Sequence, residues 1–339
     1  MASVNYQVTS NTKVLIATEA TMGTPAVQSS AAVEMPVTEY SFSEIGAGGQ
    51  TLEAAPFRVG TGGQTQSSNM VRAKRHDRMY EVSLTFHCTD LATKRVLLNL
   101  YEDGASGGIS SLLGSMPTTT AFSDDVTNTK PVTIVIQNGG HSAPAGEAKD
   151  MVFTSAMCTS MNFSGDITSN AGVVMCTAVF TTGYIPTATT HVEHTVATAL
   201  TAQSTMFNMH DISTSSYGAQ DLVLHAFDLT IARAVNKISF QDGAAFKPYG
   251  YSIGPYEVTG SLTAKRDDLS LTAAAEGDTT KALDIDTSVY QILAPTCLND
   301  TTVANLDEDG WKVSIPFRAV YAGATSSTIV SFAGAADDS

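Results

Sequence analysis

Basic residues are scarce. The 339-residue chain carries 18 Lys and Arg against 33 Asp and Glu, a formal net charge of −15. Phosphate backbones are held by Lys and Arg, so a chain with this balance does not wrap nucleic acid over its whole surface. The balance suits a subunit of a soluble assembly, or a surface that repels polyanions. Charged residues of both signs reach only 15%, which excludes a charge-laced helical protein. No apolar run approaches the ~18 residues of a membrane-spanning helix. The opening MASVNYQVTSNTKVLIATEA has no basic region followed by an apolar block, so no secretory signal is expected.

Cysteine and tryptophan are rare too. Cys88, Cys158, Cys176 and Cys297 are far apart and lack metal-pair spacing. Three of them sit in apolar or Thr-rich strand patterns, and all are read as small buried hydrophobes of a reducing cytoplasm, with disulfides as the alternative. The single Trp leaves no aromatic platform for a carbohydrate. There is no Gly-Lys-Ser/Thr phosphate loop, no Gly-x-Gly-x-x-Gly behind a strand and no Cys/His array at zinc spacing. The seven histidines are scattered, and no carboxylate pair stands in an apolar setting. Catalytic triads are assembled in space, so missing motifs do not exclude an enzyme. Nothing in the pattern asks for chemistry, however, and neither catalysis, a metal nor a cofactor is expected.

What is abundant is Thr, Ser, Gly and β-branched residues, a mixture that favours strands. YEVSLTFHCTDL (80–91) and YEVTGSLTAKRDDL (256–269) echo each other, the second being two residues longer. In the first, Tyr80, Val82, Leu84, Phe86 and Cys88 alternate with Glu81, Ser83, Thr85, His87 and Thr89. The second sets Tyr256, Val258, Gly260, Leu262 and Ala264 against Glu257, Thr259, Ser261, Thr263 and Lys265. Period-two alternation describes a strand with one face in a core and one face wet. WKVSIPFRAVY (311–321) alternates likewise, and Pro316 predicts an edge or a bulge there. Further strands are expected at 131–137, 150–165, 172–184, 221–235 and 327–332. A second echo joins Asp150-Met-Val-Phe to Asp221-Leu-Val-Leu, and chance convergence of two amphipathic patterns is the alternative to an internal duplication. One helix is expected from a Thr89 or Asp90 cap to Gly104, and a shorter one over Thr287–Leu293 before Pro295.

Three motif-like stretches have simpler readings. Gly104-Ala-Ser106-Gly-Gly108 matches Gly-x-Ser-x-Gly but follows a helix instead of a strand, so it reads as a loop. His191-Val-Glu-His194 lacks helical His-Glu-x-x-His spacing and reads as a polar linker. Asn305-Leu-Asp307-Glu-Asp309-Gly310 starts like a calcium loop, yet Pro316 stands where the bidentate Glu belongs, so a turn suffices. The long loop 43–78 holds Arg72, Lys74, Arg75 and Arg78, joined by Lys94 and Arg95. With no interleaved aromatics for base stacking, the cluster reads as an assembly contact to an acidic surface of a neighbouring copy.

LIATEATMGTPAV (15–27) resembles the opening of tail tube proteins of long-tailed bacteriophages, with Glu19, Gly23, Thr24 and Pro25 carrying the likeness. The run from Asp221 through IGPYEVTGSLTAKRDD is similar to the tube-domain core of that family. The resemblance implies a mainly β chain of two sandwich- or barrel-like tube domains with a short flanking helix and long loops, their strands joining neighbours in a ring. The division expected is an arm and first strand (1–32), a first tube-like domain (33–190), a linker (191–205) and a second tube-like domain (206–339). It implies a structural virion protein of the tail, assembled in the host cytoplasm. Stacked rings, trimers with pseudo-sixfold symmetry, would conduct DNA without binding it specifically. Implied partners are the chain itself and the tape measure, terminator and distal tail proteins, with no membrane. The wet residues Glu81, Ser83, Thr85, Glu257, Thr259 and Ser261 are the lumen-facing candidates, and a net negative lumen with few exposed bases is expected. The alternatives are a capsid decoration or tail adaptor/baseplate protein, and a carbohydrate-binding β-sandwich.

Overall fold

The computed structural model describes residues 12–19, 22–26, 32–45, 79–89, 93, 96, 131–137, 149–190, 206–238, 248, 250–265, 280–287, 291–299, 303–307, 310–320 and 330–333. The fold is mainly β. Its first eight strands are β1 (Lys13–Thr18), β2 (Val33–Met35), β3 (Val37–Ile45), β4 (Met79–His87), β5 (Val132–Gln137), β6 (Lys149–Asp166), β7 (Met175–Thr182) and β8 (Thr187–Thr190). The rest are β9 (Ile212–Tyr217), β10 (Gln220–Asp221), β11 (Leu224–Ile238), β12 (Gly250–Lys265), β13 (Lys281–Thr287), β14 (Gln291–Asn299), β15 (Val303–Asp307), β16 (Gly310–Ala319) and β17 (Ser331–Ala333). Every strand pairing is antiparallel.

β6 divides its ladder between two layers. Its first half pairs with β5 and β8, its second with β7 and β11. The change falls at Ser155, whose φ of 50° is left-handed. Alternating side chains of both layers meet in one core that holds Val14, Ile16, Ile134 and Phe153 with Val82, Leu84, Phe163 and Phe180. The same core continues through Ile231, Val258, Leu262, Leu283, Ile285, Ile315 and Phe317. Each such side chain, fully buried, contributes about 1.5–3 kcal/mol, which is why the ladder positions facing this core are nearly all apolar.

The ladder of the first eight strands is written twice. β1–β2, β1–β5, β5–β6, β6–β8, β6–β7, β7–β4 and β4–β3 pair in the first half. Their counterparts are β9–β10, β9–β13, β13–β14, β14–β17, β14 and β15 with β16, β16–β12 and β12–β11. The bulges coincide as well. The slip between Val37 and Glu39 on β4 matches that between Leu224 and Ala226 on β12, and the slip at Val132/Ile134 matches that at Lys281/Leu283. Matching the bulges sets Leu84 against Leu262 and Phe180 against Phe317. Tyr80 then falls against Val258, so the Tyr-Glu-Val echo is out of step by two residues, the same two by which its second copy is longer.

Several expectations are corrected. The Asp150/Asp221 echo joins unrelated positions, since Asp150 lies in β6 and Asp221 in β10. Thr287–Leu293 is no helix: β13 runs to Thr287 and β14 starts at Gln291, with Ile292 and Ala294 buried in strand alternation. Pro316 lies inside β16, not on an edge strand, but opposite the break between β14 and β15, where the ladder has lost its regular bonds. Strands β2, β3, β8, β9, β13, β14 and β15 are additional to those read from the sequence. Of the helix expected at 89–104, only Thr93 and Val96 are described, both helical, with Thr93 N–H donating to the Thr89 carbonyl at 3.0 Å.

Candidate functional site: the polar face of the long sheet

Period-two strands that bury one face must present the other, and here the presented faces are continuous. Across β3-β4-β7-β6-β11-β12-β16 the paired residues form rows. One row runs Thr85, Thr177, Asn162, Thr230, Thr259, Arg318. The next runs His87, Met175, Ser164, Asp228, Ser261, Pro316. All six lumen-facing candidates lie on this face: Glu81, Ser83 and Thr85 alternate with buried Val82, Leu84 and Phe86, while Glu257, Thr259 and Ser261 alternate with Val258 and Leu262. The β4 and β12 trios thus share one surface with β7, β6 and β11 between them.

The hydroxyls and amides of the face tie to one another. Thr85 Oγ1 and Thr177 Oγ1 are 3.1 Å apart, and Asn162 Nδ2 donates to Asp228 Oδ2 and Thr230 Oγ1, both at 2.8 Å. Among its described side chains, Glu39, Glu81, Asp166, Asp228 and Glu257 face Lys265, Lys312 and Arg318. Five carboxylates against three cations leave −2. The cations gather at the β12–β16 end, and Arg318 pairs with Glu257, both side chains 55% exposed. Glu257 therefore adds little to the field. Asp166 is held below the ordinary carboxylate pKa by hydrogen bonds from the Thr168 hydroxyl (2.6 Å) and N–H (2.7 Å). Glu39, Asp166, Asp228, Asn162 and Thr177 were not singled out from sequence, although Asp228 and Thr230 do alternate there with Phe227, Leu229 and Ile231.

A second polar centre is buried, not presented. Glu19 is 2% exposed. Its Oε1 accepts from Thr133 Oγ1 at 2.6 Å and Ser155 N–H at 2.7 Å, and its Oε2 accepts from Ser155 Oγ at 2.6 Å. Ser155 Oγ also accepts from Gly23 N–H at 2.7 Å, and Thr133 Oγ1 from Ala26 N–H at 2.9 Å. Glu19 and the Gly-Thr-Pro turn are thus one clamp that fixes the left-handed residue at the bend of β6. Gly23 has φ of 82°, and a Cβ there would approach Tyr184 Oη to 2.8 Å, so this turn requires glycine. A buried carboxyl held by three hydrogen bonds fixes the strands around it.

All four cysteines are buried free thiols. Burial pushes Cys158 and Cys297 up to about 12 and raises Cys176 as well, so these thiols are unreactive. Among the described residues no cluster of His, Cys, Asp or Glu has metal-binding geometry, and no helix is long and apolar enough to cross a membrane. Asn305–Gly310 is the β15–β16 hairpin, with Asp307 paired to Gly310. The basic residues Arg72, Lys74, Arg75, Arg78, Lys94 and Arg95 lie outside the described residues, as do Gly104–Gly108 and His191–His194.

No curated protein matches the chain. The model of one protein family, described as phage tail tube protein, matches residues 9–319. That span holds the clamp, every strand of the ladder but β17 and the whole polar face, and so the chain belongs to the phage tail tube protein family.

Proposed function

We propose that the chain polymerises as stacked rings, trimers with pseudo-sixfold symmetry, into a tail tube whose inner wall is the polar face of the long sheet, and that DNA passes through it without specific binding. The observation that carries this reading is the continuity of the mostly polar rows across both halves of the ladder. A twofold-repeated ladder needs half as many copies per ring as a single one. The face suits a conduit for DNA: hydroxyls are well hydrated, and a mild net negative charge repels phosphates at close range, within a Debye length of about 10 Å at moderate salt. Lys and Arg dispersed over the wall would instead grip phosphates. Residues 33–190 and 206–339 serve as the two tube-like domains, with 1–32 as an arm and first strand and 191–205 as the linker. The four basic residues of the 46–78 segment contact an acidic surface of a neighbouring copy or ring. The protein is non-enzymatic, is assembled in the host cytoplasm and meets the tape measure, terminator and distal tail proteins at the tube ends.

Negative-stain microscopy of the purified chain tests the reading. Long hollow rods are expected. Single rings or trimers without filaments would assign the chain to a decoration or adaptor role, and monodisperse monomers under all conditions would refute assembly.

A further inference from the structure

One pairing has no counterpart among the described residues. β11 lies along the second half of β6 and joins the two copies of the ladder, pairing Ala226 with Asp166, Phe227 with Gly165, Asp228 with Ser164 and Leu229 with Phe163. The strand equivalent to β11 is β3, and the stretch equivalent to the second half of β6 is β15. Their outer edges should therefore pair in the same way. Within one chain they cannot meet, because β3 and β15 stand at opposite ends of the strand run that carries the polar face.

We propose that β3 of one copy pairs antiparallel with β15 of the next, reproducing the β6–β11 junction between molecules. The inference rests on the ring reading above and names the edges and register that would close the ring. Carrying the register across sets Glu39 against Asp307, Ser41 against Asn305, Phe42 against Ala304 and Ser43 against Val303.

Exposure agrees with a missing neighbour. Leu229, covered by β6, is 1% exposed, whereas its equivalent Phe42 is 50% exposed, although its ring still lies 5.8 Å from that of Phe153. Ile231 is 0% exposed, while its equivalent Glu44 is exposed. Ser41 and Ser43 are exposed, while their equivalents Asp228 and Thr230 are half-buried and bonded to Asn162 across the junction. The residue types at the central pair trade sizes, from Leu229 with Phe163 inside the chain to Phe42 with Ala304 between chains. Strand edges left open are templates for another strand, and one that matches an internal junction selects a copy of the same chain. The two surfaces differ, so the contact is head-to-tail and closes a ring when the rotation allows. It would extend the Ser/Thr rows from one molecule into the next.

Cysteine pairing reads the register directly. Opposed residues of antiparallel strands have Cα atoms about 4.5–5.5 Å apart, inside the disulfide range. In the full chain carrying Ser41→Cys and Asn305→Cys, mild oxidation should give a ladder of covalent oligomers on a non-reducing gel that reductant collapses. The native thiols are buried and stay silent. Glu39→Cys with Val303→Cys sits four residues out of register, about 14 Å apart at ~3.4 Å per residue, and should cross-link at least tenfold less. Hollow tubes in microscopy with no excess cross-linking of the matched pair would overturn the junction while leaving the tube reading intact. Equal cross-linking by either single-cysteine variant would overturn it too, by showing a symmetric contact. Absence of any assembly from the unsubstituted chain would remove both readings. If the double variant fails to fold, Phe42→Glu decides: assembly should fall at least tenfold while the melting temperature of the unassembled chain moves by no more than about 5 °C. Undiminished assembly would count against the junction.

Discussion

The two halves of the ladder hold the same bend by different chemistry. In the first, β6 turns at Ser155, a left-handed residue clamped by the buried Glu19 carboxyl. In the second, the equivalent positions are Pro295 and Thr296, and neither has positive φ. Proline fixes φ near −65° on its own, so the second bend needs no clamp. The connection that supplies the clamp is absent there as well. β1 and β2 are joined through residues 19–32, whereas β9 and β10 are joined by the tight turn Gly218-Ala219, both with positive φ near 60°. A third exchange lies at the far end of this layer. Gln137 Nε2 donates to the buried Asp150 Oδ2 at 3.3 Å, and at the equivalent pair Asp286 faces Gln291, the two residue types having changed strands. What persists is the position of pairs and bulges. What drifts is the residue that enforces them.

That contrast can be broken at its strongest point. Glu19→Ala orphans the Ser155 N–H, the Ser155 hydroxyl and the Thr133 hydroxyl at a buried site. An unsatisfied buried group costs about 1–3 kcal/mol, so a loss of about 3 kcal/mol or more is expected in denaturant unfolding. Thr296→Ala, at the same bend of the other half, should cost under about 1 kcal/mol. Equal losses would show that the halves are held alike.

Gly260 breaks it in the other direction. Its equivalent in the first half is Val82, yet a Cβ at Gly260 would sit 2.4 Å from the Asp228 carbonyl oxygen and 2.6 Å from the Phe317 ring. Restoring the first-half residue, Gly260→Val, should therefore destabilise the chain by about 2 kcal/mol, in the range of overpacking. A neutral result would mean that β11 and Phe317 can give way to the added side chain.

The connections differ in length as well. Between β3 and β4 lie residues 46–78 with Arg72, Lys74, Arg75 and Arg78, while β11 and β12 are joined by 239–249. Reversing the four to Glu should raise the concentration needed for assembly, more so at low salt. Each exposed pair contributes only ~0–1 kcal/mol but recurs around the ring. Polymerisation unchanged at every ionic strength would remove these residues from the contact.

The smallest effect is at the β6–β7 connection, whose counterpart in the second half is the short link between β15 and β16. Thr168→Ala removes the hydroxyl bond to Asp166, whose pKa should rise back toward 3.8 in a carboxyl NMR titration. A depressed folded pKa stabilises above the unfolded value and is lost as pH falls through the folded one. The stability gap between the native chain and the variant should therefore be full at neutral pH and close in acid below about pH 3.8.

Much of the fold was legible because alternation is local. Val82, Leu84 and Phe86, or Val313, Ile315 and Phe317, announce a half-buried strand wherever they lie. The burial of the cysteines and the lack of a helical core followed from the same patterns. Edge strands and short strands were harder. β3 carries Glu39, Ser41, Ser43 and Glu44 and reads as polar, and among the described residues it pairs with β4 alone. The helix expected at 287–293 failed because Thr-Ser-Val-Tyr-Gln-Ile-Leu also fits a strand, and pairing with β13 decided between them.

By itself the sequence determined the class of the elements, the apolar and wet faces of β4, β12 and β16, and a family likeness carried by Glu19 and the Gly-Thr-Pro turn. Tertiary structure alone decided the register. It placed Tyr80 against Val258 and not Tyr256, because bulges shift a ladder by whole residues that no local pattern counts. It also decided what Glu19 is for, since Thr133 and Ser155 are more than a hundred positions away in the chain and reach it only when β1, β5 and β6 are side by side.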